Sequence, residues 1–437
     1  MFRAFKGYDG FPRRDFLRIG AAGMFGLGLP DALRLTAVAG PAEGPKPATG
    51  VIQIWLSGGP ATIDMWDPKP DAPEEIRGEF KPIATAAPGI SICEHMPALA
   101  KVMDQCALVR SLNHTISAHG PGTTYMATGN RPGPVVEYPA LGALASKVLP
   151  ARPGVPPYVT FASLRDGISS TGAGYLGPAY SPFAIEGNPS QGNLQAQGVS
   201  LPSGFSLRDL DNRDSLRARF DQSAKALDSS PLMTGLDGFH RQALEILHSD
   251  RVRMALDLSR ERDTTRADYG KTALGQGALA ARRLIEAGAR FVTLSLGGWD
   301  THGDNFRTLR DRLLPPLDQA LSALIRDLES RGLLDETIVV CAGEFGRTPL
   351  INSGAGRDHW SQAMAVLLAG GGFRGGTVLG STDPRGMAPT HAPCSPDDLA
   401  ATIFQRLGIS PHHEVRAQNG RPISLFREGK CLMPLIG

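Results

Sequence analysis

Short apolar runs, each closed by glycine or a polar turn, recur along the chain between stretches whose apolar positions follow helical spacing. Residues 51–56 form the first run, ended by Ser57-Gly58-Gly59-Pro60, and residues 107–112, 158–161, 290–296, 337–342 and 364–369 repeat the pattern. Runs this short, rich in Val, Ile and Leu and apolar at successive positions, predict strands buried on both faces. Spacings of three and four over 139–149, 271–286 and 306–330 predict amphipathic helices, the last interrupted at Pro315-Pro316, with shorter helical pieces at 96–103 and 124–128. Ser395 is placed to cap a helix over 396–407, and Gly288 and Gly408 stand just beyond helix ends, where a left-handed residue is favoured. Strand–helix–strand alternation of this kind predicts a mostly parallel central sheet with helices on both faces. The fold class is therefore α/β. Residues 206–270 read as a helical insertion into it. The preceding stretch, 167–205, is loop-rich, with eight glycines between 167 and 204, and is expected to be an ordered lid. No internal repeat appears.

The first 39 residues stand apart. Arg13-Arg14-Asp15-Phe16-Leu17-Arg18 precedes a Gly- and Ala-rich apolar run from Ile19 to Pro30, and Ala37-Val38-Ala39 supplies a small-x-small cleavage pattern. The run is shorter than the roughly 20 residues that span a bilayer, so no stable transmembrane anchor is expected. This segment resembles a twin-arginine export signal, which implies contact with the twin-arginine machinery and export across the inner membrane to the periplasm or beyond. Residues 40–437 then form a single domain.

Composition narrows the function classes. Lys and Arg number 45 against 43 Asp and Glu, so no basic field exists for nucleic acid. The 52 glycines and 35 prolines in 437 residues predict many ordered loops. Five cysteines form no CxxC pair and are odd in number, which favours buried structural thiols over a disulfide framework.

Ligands of open parallel sheets gather beyond the carboxyl ends of the strands. There the chain places Asp300 and His302 after the strand at 292–296, Glu344 after the strand at 339–342, and Asp358 with His359 in the next loop. Imidazoles mixed with carboxylates suit a divalent transition metal such as Zn or Mn better than Mg. Trp299 and Trp360 flank these groups, and either stack on a sugar ring or pack over the site. His114 is a further ligand candidate; His240, His248, His412 and His413 read as surface residues.

SGGPATIDMWDPKP (57–70), IRGEFKPI (76–83), HGPGTTYMATGNRPG (119–133), GAGYLGPAYSPF (172–183), GGWDTHGDNF (297–306), GEFGRTP (343–349) and GRDHW (356–360) together resemble the family called domain of unknown function 1501, within the alkaline phosphatase and sulfatase superfamily. The resemblance implies an alkaline phosphatase-like fold and a divalent centre, with Ca an alternative to Zn or Mn. It aligns Asp300, His302 and His359 with one metal site. A second site is weakened where Phe345 replaces a histidine after Glu344, and Ser57 and Gly58 stand where a carboxylate ligand is expected, with Asp64 the nearest acid. At the nucleophile position it places His119, which would ligate metal or take part in attack; Thr123 and Thr124 lie a turn away. The implied activity is metal-dependent hydrolysis of a phosphate or sulfate ester of a small molecule or carbohydrate, with Arg347 or Arg357 holding the anion as a fork. A non-catalytic exported binding protein that retains the fold and a partial metal site is the alternative, and a phosphomutase-like transferase would need a hydroxyl nucleophile.

Overall fold

The computed structural model describes residues 46–150, 152–161, 172–196 and 249–436. The expected export signal, the expected surface histidines His240 and His248, and most of the 206–270 insertion lie outside these residues. Within them, nine strands form one sheet: β1 (Gly50–Leu56), β2 (Cys106–Leu112), β3 (Tyr158–Phe161), β4 (Phe183–Glu186), β5 (Gln195–Ala196), β6 (Phe291–Leu296), β7 (Thr337–Ala342), β8 (Met364–Ala369) and β9 (Thr377–Leu379). Their order across the sheet is β9-β2-β8-β7-β1-β6-β3-β4-β5. All neighbouring pairs are parallel except those of β8 with β2 and β7, and that of β5 with β4.

Alternation along each central strand feeds two separate cores. In β1, Ile52, Ile54 and Leu56 face one layer, while Val51 and Trp55 face the other. Successive side chains of a strand point to opposite faces, so a run apolar at every position needs helices on both sides. Helices α3 (Ala273–Ala287) and α4 (Leu314–Ser330) cover the first layer with residues such as Leu279, Leu284, Leu317 and Leu324. Helices α1 (His119–Thr128), α2 (Leu141–Val148) and α5 (Pro396–Arg406) cover the second through Met126, Leu144, Ile403 and Phe404.

Local signals explain the helix ends. Ser395 accepts from the Asp398 N–H and Asp398 reciprocates at the Ser395 N–H, closing a capping box on α5. Before α4 the chain makes a π-helical turn over Leu309–Leu313, and the expected break at Pro315-Pro316 becomes the first turn of α4. Proline lacks the N–H that an interior position needs, whereas the first turn has no use for it. No helix among the described residues is long and apolar enough to cross a membrane. All five cysteines are free, and Cys93, Cys106, Cys341 and Cys394 are buried.

The stretch expected to be a lid falls only partly within the described residues. The described part of the stretch read as a lid, residues 172–196, carries β4 and β5, which extend the sheet at its edge. Phe183, Ala184 and Ile185 pair in register with β3, and through them this part continues the sheet. Its few apolar positions are enough because an edge strand needs only a short, locally apolar segment.

The direction of β8 decides where the functional loops lie. β1, β6 and β7 are adjacent and parallel, so their carboxyl ends share one edge. Because β8 runs opposite to β7, the segment between them stays at that edge and ends there. β2 pairs antiparallel with β8, so its carboxyl end, which leads to α1, reaches the same edge.

Candidate metal centre

The loop after β1 contributes backbone only. Gly58 has φ +114° and Gly59 φ +75°, and a Cβ on Gly58 would lie 2.4 Å from the Asp300 nitrogen. A Cβ on Gly59 would meet the Phe345 ring at 2.6 Å. Both positions demand glycine, for conformation and for clearance. The Gly58 N–H donates to Glu344 Oε1 at 2.9 Å, so the strand that the resemblance expects to deliver a carboxylate ligand delivers a hydrogen-bond donor.

Four side chains converge above this floor. Asp300 and His302 follow β6, His119 opens α1, and His359 pairs through Arg347 in a two-residue ladder, Gly346–Arg347 against His359–Trp360. Ligand atoms of His119, Asp300 and His359 all lie within 4.8 Å of one another. His119 Nε2 is 3.3 Å from Asp300 Oδ2. His359 Nε2 is 3.2 Å from Asp300 Oδ1, and His302 Nε2 is 3.1 Å from the same oxygen. The Nε2 atoms of His302 and His359 stand 3.1 Å apart. The separations that involve Asp300, and that between His302 and His359, are close to the roughly 3.3 Å between neighbouring ligands of a tetrahedral ion, while the three-residue group of His119, Asp300 and His359 leaves His302 outside it.

The opposite ring nitrogens each meet an acceptor. His119 Nδ1 meets Glu344 Oε1 at 2.7 Å, His302 Nδ1 meets Asp358 Oδ1 at 2.7 Å, and His359 Nδ1 meets the Ser117 carbonyl at 2.8 Å. A carbonyl or ionised carboxylate only accepts, so each Nδ1 carries the proton and donates. A ring that carries its single proton there turns a bare Nε2 toward Asp300, which is the form that can ligate a metal. This is the arrangement of metal-ligating imidazoles whose other nitrogen is held by an outer acceptor.

Electrostatics point the same way. Partial burial pulls the Asp300 carboxyl up, but the hydrogen bond and charge of Arg347, with His359 and His119 beyond it, outweigh that and leave the group at about 2. The hydrogen bond from His302 holds the Asp358 carboxyl below the usual carboxylate range. The side chains of His119, Asp300 and His302 remain 39%, 46% and 47% exposed, so the centre is open to a ligand from solvent. Phe345 lies beneath as an apolar wall, its ring centroid 5.1 Å from that of His119 and 4.7 Å from that of His359.

Several residues singled out from the sequence have other work. Arg347, expected to grip a substrate anion, is buried and donates to the carbonyls of Gly58, Gly59 and Arg357 and to Asp300. Arg357 is fully buried and forms a two-point ion pair with Asp64, at 2.6 and 2.7 Å, besides donating to the carbonyls of Ile76, Thr348 and Pro349. Neither guanidinium faces the centre with a free edge. Glu344, read as a ligand, is buried behind His119, and Asp358 lies behind His302. Trp299 is wholly buried and offers no stacking face, while half-buried Trp360 donates from Nε1 to the Met387 carbonyl at 2.8 Å. His114 accepts from the Ile116 N–H at Nδ1 and donates from Nε2 to the Glu344 carbonyl at 2.8 Å, which leaves it no atom for a metal. The Thr124 hydroxyl is taken by the Gly120 carbonyl, and Thr123 is buried.

A family model described as "Protein of unknown function (DUF1501)" matches residues 48–436. No curated protein gives a significant match. Among solved structures, the chain is similar to the PsFucS1 sulfatase from Pseudoalteromonas sp., at 13% identity and TM-score 0.37, covering 86% of this chain and 70% of that one. It is also similar to a TAB5 alkaline phosphatase mutant with Mg in its M3 site, at 10% identity and TM-score 0.38, covering 84% and 99%. The lipoteichoic acid synthase LtaP from Listeria monocytogenes aligns at 10% identity and TM-score 0.35, covering 88% and 75%. Likeness at this level carries no chemistry from those proteins to this chain.

Two expectations follow from the buried partners. Arg357→Met leaves Asp64 charged, buried and without its ion pair, and should lower the unfolding free energy by about 3–5 kcal/mol. A change below about 1 kcal/mol in urea titrations would mean that Asp64 finds other compensation. The second concerns pH. Burial holds the His114 imidazole below its ordinary value, so the folded state favours the neutral ring. Its contribution is present above the ordinary pKa of about 6.5 and is lost as pH falls through the lowered folded value. The stability advantage of the chelated wild-type protein over His114→Gln should therefore narrow between about pH 7.5 and pH 5. A constant gap across that range would contradict the sign.

Proposed function

The chain belongs to the DUF1501 family, and from that premise we propose that it is a metal-dependent hydrolase of phosphate or sulfate esters, exported from the cytoplasm. The observation that carries the reading is the set of three imidazoles with Nδ1 engaged and Nε2 turned toward a shared carboxylate. His119, Asp300 and His359 would hold the ion, with His302 completing the set on the open side. Three nitrogens and one carboxylate favour Zn or Mn, while Ca prefers a shell of oxygens. A divalent ion bound there supplies a Lewis acid for the ester oxygen and an acidified water. His119 acts as a ligand in this reading, because its Nδ1 is held by Glu344 and its Nε2 points at Asp300. Arg347 fixes the Asp300 carboxylate and keeps it ionised. Substrate reaches the ion from the exposed side of His302 and Asp300, where a small-molecule or carbohydrate ester has access.

A second reading has its own observation. With Arg347 and Arg357 both committed inside the protein, neither guanidinium is available to hold an anion, which suits a binding protein that retains the metal. One experiment separates the two. Full-length protein purified without chelator should hold about one equivalent of Zn or Mn and cleave members of a 4-nitrophenyl phosphate, phosphodiester and sulfate panel. His302→Ala and His359→Ala should each lose most of the metal and the activity, with lowered thermal stability. Stoichiometric metal without any turnover supports the binding protein; wild-type protein that takes up neither Zn nor Mn removes both readings.

Export rests on Arg13-Arg14 and the Gly-rich run behind them. Lysine lacks the guanidinium fork. Arg13→Lys with Arg14→Lys should leave unprocessed precursor in the cytoplasm, and normal processing of that double variant would defeat the export reading.

A further inference from the structure

The geometry points to Glu344 as a positioning residue for the metal centre, one that acts through His119 and does not touch the ion. The inference rests on the metal reading above, and is separable from it by experiment. Glu344 follows β7 and is 1% exposed. Its Oε1 accepts two donors, the Gly58 N–H at 2.9 Å and the His119 Nδ1–H at 2.7 Å. Its Oε2 is buried with no hydrogen-bond partner, and so is His119 Nε2 at the far side of the ring. A desolvated carboxylate with one oxygen unpaired is costly, and a residue that merely filled this space need not carry a charge. What the charge does here is hold the proton at Nδ1 of His119, lock the ring plane, and raise the donor strength of the Nε2 lone pair that faces Asp300 and His359.

The floor of the site is shaped for this. Gly58 turns its N–H onto Oε1 from a positive φ that a side chain would obstruct, since its Cβ would strike the Asp300 backbone. The strand end that lacks a ligand thus supports a ligand's partner. The other two imidazoles have weaker holders. Asp358 serves His302 from a side chain that is 54% exposed, where water and salt screen its charge, and a neutral carbonyl serves His359. Among the three, Glu344 should influence metal affinity most.

The test uses full-length protein stripped with chelator and titrated with Zn against a competing chromophoric chelator. In Glu344→Gln the amide oxygen can still accept from Gly58 and His119 at nearly the same size, so a purely structural role would survive. We expect about 10- to 100-fold weaker Zn binding for Glu344→Gln, with the circular dichroism of the metal-free protein unchanged. Asp358→Asn should lose a smaller factor. Placed on a His119→Ala background, Glu344→Gln should cost no further affinity, because its effect passes through the missing ring. If Glu344→Gln does not fold, Glu344→Asp makes the same test by drawing the carboxylate back one methylene, with a loss expected only when His119 is present. Wild-type affinity in the folded glutamine variant overturns the proposal, as does an equal loss with and without His119. Wild-type protein that binds no Zn at all overturns the metal reading as well.

Discussion

The guanidinium of Arg347 is the contact on which the arrangement of the site depends. It joins the carbonyls of Gly58 and Gly59 after β1, the carboxylate of Asp300 after β6, and the carbonyl of Arg357 in the segment that leads to β8. Three loops at one sheet edge are thereby held by one rigid planar group, although Gly59 lies 288 and Asp300 47 positions from Arg347 in sequence. Arginine suits this task because its five N–H donors leave in fixed directions and its charge persists at any physiological pH. Behind it, the Asp64–Arg357 pair closes a second, fully buried bridge, and Asn305 donates to the same Asp64 at 2.8 Å. The loops of the centre are therefore braced from within before any ligand arrives.

That bracing has a consequence for chemistry. A guanidinium used inside the protein cannot also serve as a fork for substrate, so an anion entering here would meet the imidazoles, and any ion they hold, first. It also explains why Asp300 can be half exposed and still firmly ionised, since Arg347 neutralises it from the buried side. The proposed centre combines one carboxylate with three imidazole rings. Each ring is oriented by an outer acceptor of different strength, from a buried carboxylate through an exposed one to a backbone carbonyl. Phe345, which at first sight marks a lost histidine, packs its buried ring against those of His119 and His359.

Legibility in the sequence followed the range of the interactions. Buried strands such as 337–342 and the α5 cap were readable because apolar runs and capping residues act within a few positions. Asp300, His302 and His359 were readable as neighbours because strand ends in a mostly parallel sheet must share an edge. The part of 172–196 that joins the sheet was not, since a short edge strand differs little from a glycine-rich loop until its partner is known.

By itself, the sequence determined the α/β layering, the strand ends that carry chemistry, and the residue types available there, because hydrophobic periodicity and turn residues encode these locally. Tertiary structure alone decided what each polar group does. Whether an arginine grips substrate or a carbonyl, and whether Glu344 binds an ion or a histidine, depends on which loops lie alongside. The contacts of Glu344 with His119 and of Arg357 with Asp64 span 225 and 293 positions. No local pattern reports such a pairing, since the direction of one strand, β8, brings His359 and the Arg357 loop to the edge where His119 and Asp64 already lie.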